Sequence, residues 1–284
     1  MNKRNDRLSL FDRTSEACSI TLTKNYSTSF SKSIGALGKE IQPAIFSIYG
    51  FVRLVDEVVD SFQGYDQENL FNRLKEQTYQ ALDEGISTNP ILQAFQTVVH
   101  QYQIEREHID QFLNSMERDL YEHEHSQKSY ETYITGSAEV VGLMCLKVFV
   151  HGDETMYNQL KAPAIRLGAA FQKINFLRDI QEDYEKLGRS YFPNVDISKL
   201  DQEGKRCIEA DIEDDLRAAY AGIVQLPKDA RFGVYLAYSL YVKLLHRIRL
   251  VPSSEILKSR IRVPDGQKAW LWFTAYTRHQ MNWV

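Results

Sequence analysis

Apolar residues recur at every third or fourth position along most of this chain, which is the period of an amphipathic helix. Nine segments show the recurrence most clearly. They cover residues 42–62, 66–84, 91–101, 105–122, 129–150, 154–187, 203–224, 228–250 and 266–282. The alternating pattern that is typical of strands is nearly absent. The sequence therefore predicts an all-α protein of about eight or nine helices.

The predicted helices are separated by short breaks. These fall at residues 62–65, 84–90, 123–128, 187–202 and 250–266. None is long or biased enough for a domain linker, and no repeat of fixed period is present. Pro43, Pro163 and Pro227 lie near predicted helix starts, where a missing N–H costs little. We therefore expect a single domain over residues 1–284, built as a helical bundle.

Composition narrows the class of protein. Of 284 residues, 43% are hydrophobic and 25% are charged, as in an ordinary globular protein rather than a disordered chain. The net charge is −4, which does not suggest binding to nucleic acid. Cys18, Cys145 and Cys207 are far apart in sequence, so we expect a reducing compartment and no structural zinc site.

The two chain ends bear on localisation. The N-terminus begins with basic residues but lacks the apolar run of a signal peptide, and no stretch is apolar for long enough to predict a transmembrane helix. Trp270, Trp272 and Trp283 crowd the last fifteen residues. This crowding favours a terminal helix that docks on the core, and an interfacial membrane patch is the alternative. We expect a cytoplasmic protein, with peripheral contact at the inner face of the membrane left open.

The predicted helix over residues 43–60 combines burial with charge. It is apolar around most of its circumference, which predicts that it is buried. Nevertheless, Tyr49, Arg53, Asp56 and Asp60 form one stripe along it, at i, i+4, i+7 and i+11. Two buried carboxylates one turn apart repel each other unless a cation lies between them. Stability alone does not account for this arrangement.

A second segment, residues 162–193, repeats the arrangement. Its stripe holds Gln172, Asn175, Asp179 and Asp183. Glu182 adds a third acid near the predicted helix end, where unpaired carbonyl groups disfavour anions. Each acid cluster taken singly could be a solvated helix face paired with arginine or lysine. Two such clusters on apolar helices favour a binding site.

Oxygen ligands without histidine or cysteine suit a hard divalent ion, Mg²⁺ or Mn²⁺. Mg²⁺ held by a few carboxylates usually completes its coordination with water and substrate phosphate oxygens. Arg53 and Arg178 lie close to the acids in sequence and could bind the remaining anionic oxygens. His123 and His125 are flanked by charges, so we interpret them as part of a solvated helix end rather than a metal site.

These motifs resemble those of the squalene/phytoene synthase family, in particular its bacterial phytoene synthases. The two acid motifs of the family resemble residues 49–60 and 172–193. Further matches, in family order, are residues 26–34, 116–120, 133–144 and, more weakly, 260–268. The resemblance spans most of the chain. It implies an all-α isoprenoid-synthase fold with a central cavity.

The resemblance also implies roles for individual residues. Metal-binding positions are matched by Asp56, Asp60, Asn175, Asp179, Glu182 and Asp183. Diphosphate-binding positions are matched by Ser29, Arg53, Arg178 and Arg189. Reaction-cavity positions are matched by Tyr49, Arg53, Asp119, Tyr133, Gln172 and Tyr191. Thr135 and Tyr26 depart from the family pattern, and neither belongs to the metal motifs.

The implied reaction condenses two geranylgeranyl diphosphates head to head, through a cyclopropyl diphosphate, to phytoene, the first committed step of carotenoid synthesis. The implied partners are two prenyl diphosphates, with Mg²⁺ as cofactor and no NADPH. One alternative uses two farnesyl diphosphates and yields squalene or dehydrosqualene. Another, of a different class, is a non-catalytic assembly factor, which we would expect to have lost its acids.

The small and apolar residues of 136–150 could line a tunnel or simply pack in the core. The sequence does not indicate the oligomeric state.

Overall fold

The computed structural model describes most of the chain, and that part is helical nearly throughout. The described residues are 3–121, 126–186, 191–192, 200–256, 261–264, 266–268, 271, 274–275 and 277, without the side chains of 3–7 and 182–186. They form helices α1 (Lys3–Tyr26), α2 (Thr28–Gly35), α3 (Gln42–Asp60), α4 (Gln67–Glu84), α5 (Pro90–Tyr102), α6 (Arg106–Arg118), α7 (Gln127–Ile134), α8 (Val140–Phe149), α9 (Glu154–Lys186), α10 (Gln202–Ile223), α11 (Lys228–Arg249) and α12 (Ser253–Ile256). A π-helical segment, Thr135–Glu139, joins α7 to α8. Within these ranges there is no strand, so the all-α prediction is confirmed.

Helices α3 to α11 follow the predicted segments to within a few residues. The expected count of eight or nine is too low, because α1, α2 and α12 were not predicted. The predicted helix over 266–282 lies largely outside the described residues. Local signals fix the ends of α4. Asp66 caps its start by accepting a hydrogen bond from the Asn69 N–H at 3.1 Å, and Gly85 ends it at φ 68°.

Helix α1 was not predicted from apolar periodicity because its buried face is polar. Ser15, Ser19 and Thr23 are completely buried at a spacing of four residues. The Thr23 hydroxyl donates to the Ser19 carbonyl at 2.8 Å, so its hydrogen bonding is satisfied within the helix. These small side chains let α1 approach α3 closely, and a Cβ on Gly50 would lie 2.9 Å from the Ser19 Cβ.

One proline departs from its predicted place. Pro43 lies in the first turn of α3 and Pro227 is the residue before α11, as predicted, but Pro163 lies inside α9. Its ring packs against α10 at Gly222, where an added Cβ would come within 2.4 Å of the Pro163 Cβ. The missing side chain at Gly222 thus makes room for the proline ring between the two helices.

The continuous helix Gln127–Phe149 is, within the described part of the chain, long and apolar enough to span a membrane by length and composition. However, 56% of its apolar window is buried inside the protein, where it packs against α6 and α9. This burial is the behaviour of a core helix.

A central cavity of about 290 Å³ lies among α2, α3, the π segment and helices α8 to α11. Helix α9 forms its longest wall, with described lining residues from Leu160 to Asn175. The π segment approaches α9 closely, because a Cβ on Gly168 would lie 2.6 Å from the Ala138 carbonyl oxygen. The cavity that the family resemblance implied is therefore present.

We predict that Gly50→Ala lowers the free energy of unfolding by about 1–3 kcal/mol, since the new methyl group forces α1 away from α3. Urea denaturation measures the change. Gly35→Ala is the matched control, because no atom lies within 4 Å of its added Cβ. Equal stability of Gly50→Ala and the wild type would contradict the close packing of α1 on α3.

Candidate active site

Polar groups are concentrated towards one end of the otherwise apolar cavity. On α3 and α9 the last described lining residues are Val52 and Asn175. Asp56 follows Val52 by four residues, and Asp179 follows Asn175 by four. Each acid motif therefore begins one helical turn beyond the cavity wall. Among the predicted site residues, Tyr49, Gln172 and Asn175 line the cavity.

An aromatic cluster joins the helices at this end. The ring of Phe30, on α2, lies 5.7 Å from Tyr49, 6.2 Å from Phe171 and 5.9 Å from Tyr241. Phe171 and Tyr241 stack at 3.8 Å. Through Phe30, the helix of the first acid motif is connected to the helix of the second. Ser29, predicted to contact diphosphate, precedes Phe30 and is half-buried outside the described cavity lining.

Tyr241 is a functional candidate that the sequence analysis missed. Its hydroxyl donates to the Asn175 side-chain oxygen at 3.1 Å. It lies on a tyrosine-rich helix with no acid or amide beside it, so no sequence signal distinguished it. Burial raises the pKa of Tyr241. Burial also raises the pKa of Tyr49 to about 12, although a hydrogen bond with Ser27 and the charge of Arg53 oppose it. Both phenols are therefore neutral hydrogen-bond donors at physiological pH.

Arg53 supplies a cation between the acids of α3. Its Nη1 donates to Asp56 Oδ2 at 2.6 Å, and its Nη2 donates to Glu57 Oε2. The guanidinium carbon lies 4.2 Å from the centre of the Tyr26 ring, a cation–π contact. Tyr26, one of the two departures from the family pattern, thus contacts Arg53 directly. Burial alone would raise the pKa of Glu57, but hydrogen bonds from Arg53 and Ser61 hold the pKa below its usual value.

The second motif contains a comparable pair. Arg178 Nε donates to Asp179 Oδ1 at 2.9 Å, and both side chains are mostly buried. Helix α9 continues through Glu182 and Asp183, whose side chains lie outside the described part. Arg189 also lies outside it.

The donor chemistry fits a hard divalent cation. Asp56, Asp60, Asn175 and Asp179 offer carboxylate and amide oxygens, the ligands that Mg²⁺ prefers. Among the described side chains, however, no three His, Cys, Asp or Glu residues are grouped closely enough to hold a metal ion. The metal-binding roles of these residues therefore stay predictions.

Three predicted cavity residues instead form a cluster next to the cavity. The Tyr133 hydroxyl donates to Asp119 Oδ2 at 2.6 Å, and both residues are buried. Tyr191 lies 5.3 Å from the Tyr133 ring and stacks on Phe176 at 4.0 Å. None of them is among the described lining residues. Ser137, which does line the cavity, donates to the Tyr133 carbonyl at 2.7 Å and so connects the cluster to the wall.

Comparison with known proteins identifies the family. The family model for squalene/phytoene synthase matches residues 23–267. The chain belongs to this family. Family members are prenyltransferases, so the chain is classed among these enzymes.

The relatives differ in their reported products. The chain is 28% identical to the 4,4'-diapophytoene synthase of Staphylococcus haemolyticus, over 63% of this chain and 62% of that protein. It is 25% identical to the 15-cis-phytoene synthase of Synechococcus elongatus, over 87% of each. The alignment thus spans less than two thirds of the first relative.

The sequence identities to solved structures are low, so these structures inform only on the fold of this chain. A dehydrosqualene synthase superimposes with a TM-score of 0.82 at 20% identity, covering 95% of this chain and 98% of that one. Squalene synthase HpnC from Alicyclobacillus acidocaldarius gives 0.72 at 21%, covering 84% and 94%. They confirm the predicted isoprenoid-synthase fold.

Arg53→Gln should reduce stability more at neutral pH than at acidic pH. A carboxyl group whose pKa is depressed on folding stabilises the fold above its unfolded pKa, here about 4.5, and loses that contribution as the pH falls through the folded value. The variant lacks the Glu57 contribution, so its difference from the wild type should shrink between about pH 5 and pH 3.

Urea unfolding at several pH values tests this expectation. Arg217→Gln is the control, since the Arg217–Asp214 pair is largely exposed and should contribute little at any pH. A constant difference between Arg53→Gln and the wild type from pH 7 to pH 3 would contradict the assigned pairing.

Proposed function

We propose that the protein condenses two prenyl diphosphates head to head and releases both diphosphates. One observation carries the proposal. The cavity is lined mainly by apolar side chains, and its polar end lies one helical turn from the first aspartate of each acid motif. A prenyl diphosphate has the matching polarity, with an anionic head and a long apolar tail. Family membership supports the reaction class.

When bound, Mg²⁺ would neutralise the diphosphate and make it a leaving group, held by the acids of the two motifs. Arg53 and Arg178 lie beside those acids and would pair with the remaining anionic oxygens. The neutral phenols of Tyr49 and Tyr241 can donate hydrogen bonds at the cavity end. The apolar wall excludes water, which would otherwise capture a carbocation.

The bond changes follow from this arrangement. Cleavage of the C–O bond of one substrate releases diphosphate and leaves an allylic cation. The double bond of the second substrate attacks this cation and, with loss of a proton, closes a cyclopropane ring. A second C–O cleavage releases the other diphosphate, and rearrangement with a further proton loss gives a linear polyprene. This sequence is redox-neutral, so NADPH is not required.

The length of the cavity supports geranylgeranyl diphosphate as substrate. Fifteen positions of α9 separate Leu160 from Asn175, which corresponds to about 22 Å along the helix. An extended isoprene unit adds about 5 Å, so four units span about 20 Å. A geranylgeranyl chain would therefore use nearly the whole wall. The product would be phytoene, the starting hydrocarbon of carotenoid synthesis.

Farnesyl diphosphate is the second candidate substrate. The similarity to a diapophytoene synthase favours it. A three-unit chain would leave the end of the cavity near Leu160 empty. The non-catalytic alternative receives no support, because the acids of both motifs are present.

Product analysis with Mg²⁺ tests the substrate. We expect a C40 hydrocarbon from geranylgeranyl diphosphate, in equal yield with and without NADPH, when extracts are read by mass spectrometry. A C30 product from farnesyl diphosphate alone would establish the second candidate. Failure of the folded protein to convert either substrate would overturn the proposed reaction.

Asp56→Asn and Asp179→Asn should each lower turnover at least about 100-fold, because the amide removes a charge that holds the metal. Circular dichroism should show an unchanged fold. Asp83→Asn, which alters an exposed acid of α4 paired with Arg106, is the control and should keep full activity. Full activity in either motif variant would disprove the metal-binding role of that aspartate.

A further inference from the structure

The end of the cavity opposite the acid motifs is formed by a small set of side chains. The π segment and α8 run antiparallel to α9, because Ala138 contacts Gly168 and Gly142 contacts Ala164. Helix α10 also runs antiparallel to α9, because Gly222 contacts Pro163 and Asp215 pairs with Lys173. Phe149 is the last described lining residue of α8, and Leu226 lines the cavity from the turn that follows α10. Both lie at the end of the cavity where Leu160 lies. We call Phe149, Leu160 and Leu226 the cavity floor.

We propose that the cavity floor limits the length of the prenyl chain that this protein accepts, with Phe149 as the principal stop. This proposal rests on the proposed function and deepens it. A four-unit chain that starts at Asn175 ends close to Leu160, by the lengths given above. A fifth unit would have to occupy the space that the floor side chains fill.

The three side chains differ in their freedom. Leu160 is 2% exposed and Leu226 is 5% exposed, so both are fixed in the core. Phe149 is only half-buried although it lines the cavity. It is also the largest side chain of the floor, so its truncation should open the most space. The turn beyond α10 is held to α9 where the Gln159 side-chain amide donates to the Gln225 side-chain oxygen at 2.9 Å.

A buried lysine with two partly exposed acid partners lies in the same part of α8 and α9 and limits how else the cavity could grow. Lys147, on α8, is 2% exposed and pairs with Glu105 at 2.9 Å and with Glu154 at 2.5 Å. Its ammonium group lies 4.2 Å from the Tyr157 ring centre, and the Tyr157 hydroxyl lies 2.9 Å from His108 Nε2. Removal of both acids would leave the buried charge of Lys147 uncompensated. Substitutions of the floor residues can therefore change the length of the prenyl chain that is accepted, whereas substitutions in the layer beneath them cannot.

Binding of unreactive thio analogues of the C20 and C25 prenyl diphosphates tests the proposal, measured by calorimetry with Mg²⁺ on the full chain. In Phe149→Ala we expect the affinity for the C25 analogue, relative to the C20 analogue, to rise at least about tenfold over the wild type. Leu160→Ala should change this ratio in the same direction. Phe149→Leu is a milder variant that keeps the test valid if Phe149→Ala does not fold.

Leu167→Ala is the matched control. Leu167 lies on the same helix and lines the same cavity, two turns from Leu160, so the identical truncation enlarges the middle rather than the end. Its C25 to C20 ratio should equal that of the wild type. An unchanged ratio in the folded floor variants, or an equal rise in Leu167→Ala, would overturn the proposal. Failure of the wild-type protein to bind either analogue would also overturn the proposal. Binding does not require turnover, so analogues that bind while no product forms would instead count against the proposed function.

Discussion

The structure depends on placing carboxylates on helices whose other residues require burial. Desolvation disfavours such groups, and each motif relieves this cost with an arginine of the same helix. Arg53 pairs with Asp56 and Glu57, and Arg178 pairs with Asp179. The guanidinium groups therefore lie where an anionic ligand would also be attracted. Under the proposed function, the arginines that stabilise the acids in these helices would also bind the diphosphate at this end of the cavity.

The helices that surround the cavity approach one another closely at glycine residues, which have no side chain. Gly142 and Gly168 bring α8 and α9 into backbone contact at one side of the wall, while Gly233 lets Leu37 of the α2–α3 connection approach α11. Away from these contacts, a space remains between the helices. The space that remains is lined by apolar side chains and ends at the Tyr49–Phe30–Tyr241 cluster.

Sequence reasoning succeeded where one physical rule dominated. Apolar periodicity located α3 to α11. The conflict between charge and burial singled out the two acid motifs, whose metal-binding role stays a prediction. It failed at α1, whose buried face is serine and threonine, since an apolar period cannot detect packing between small residues. It missed Tyr241 because that side chain acquires its role from Asn175 on another helix. The family resemblance assigns Asp119, Tyr133 and Tyr191 to the reaction cavity, but they form a cluster beside it, and this position depends on tertiary packing.

Different electrostatic interactions stabilise the two ends of the cavity. At the motif end, paired charges can exchange partners with an incoming ion or diphosphate, because each arginine and acid remains partly exposed. At the floor end, Lys147 is almost completely buried and is held by Glu105 and Glu154, so its ammonium group is already paired before a ligand enters. An adaptable head-group site above a rigid floor would fix the length of the bound chain while still allowing diphosphate to leave. This division favours a protein that selects its substrate by the tail and acts on it at the head.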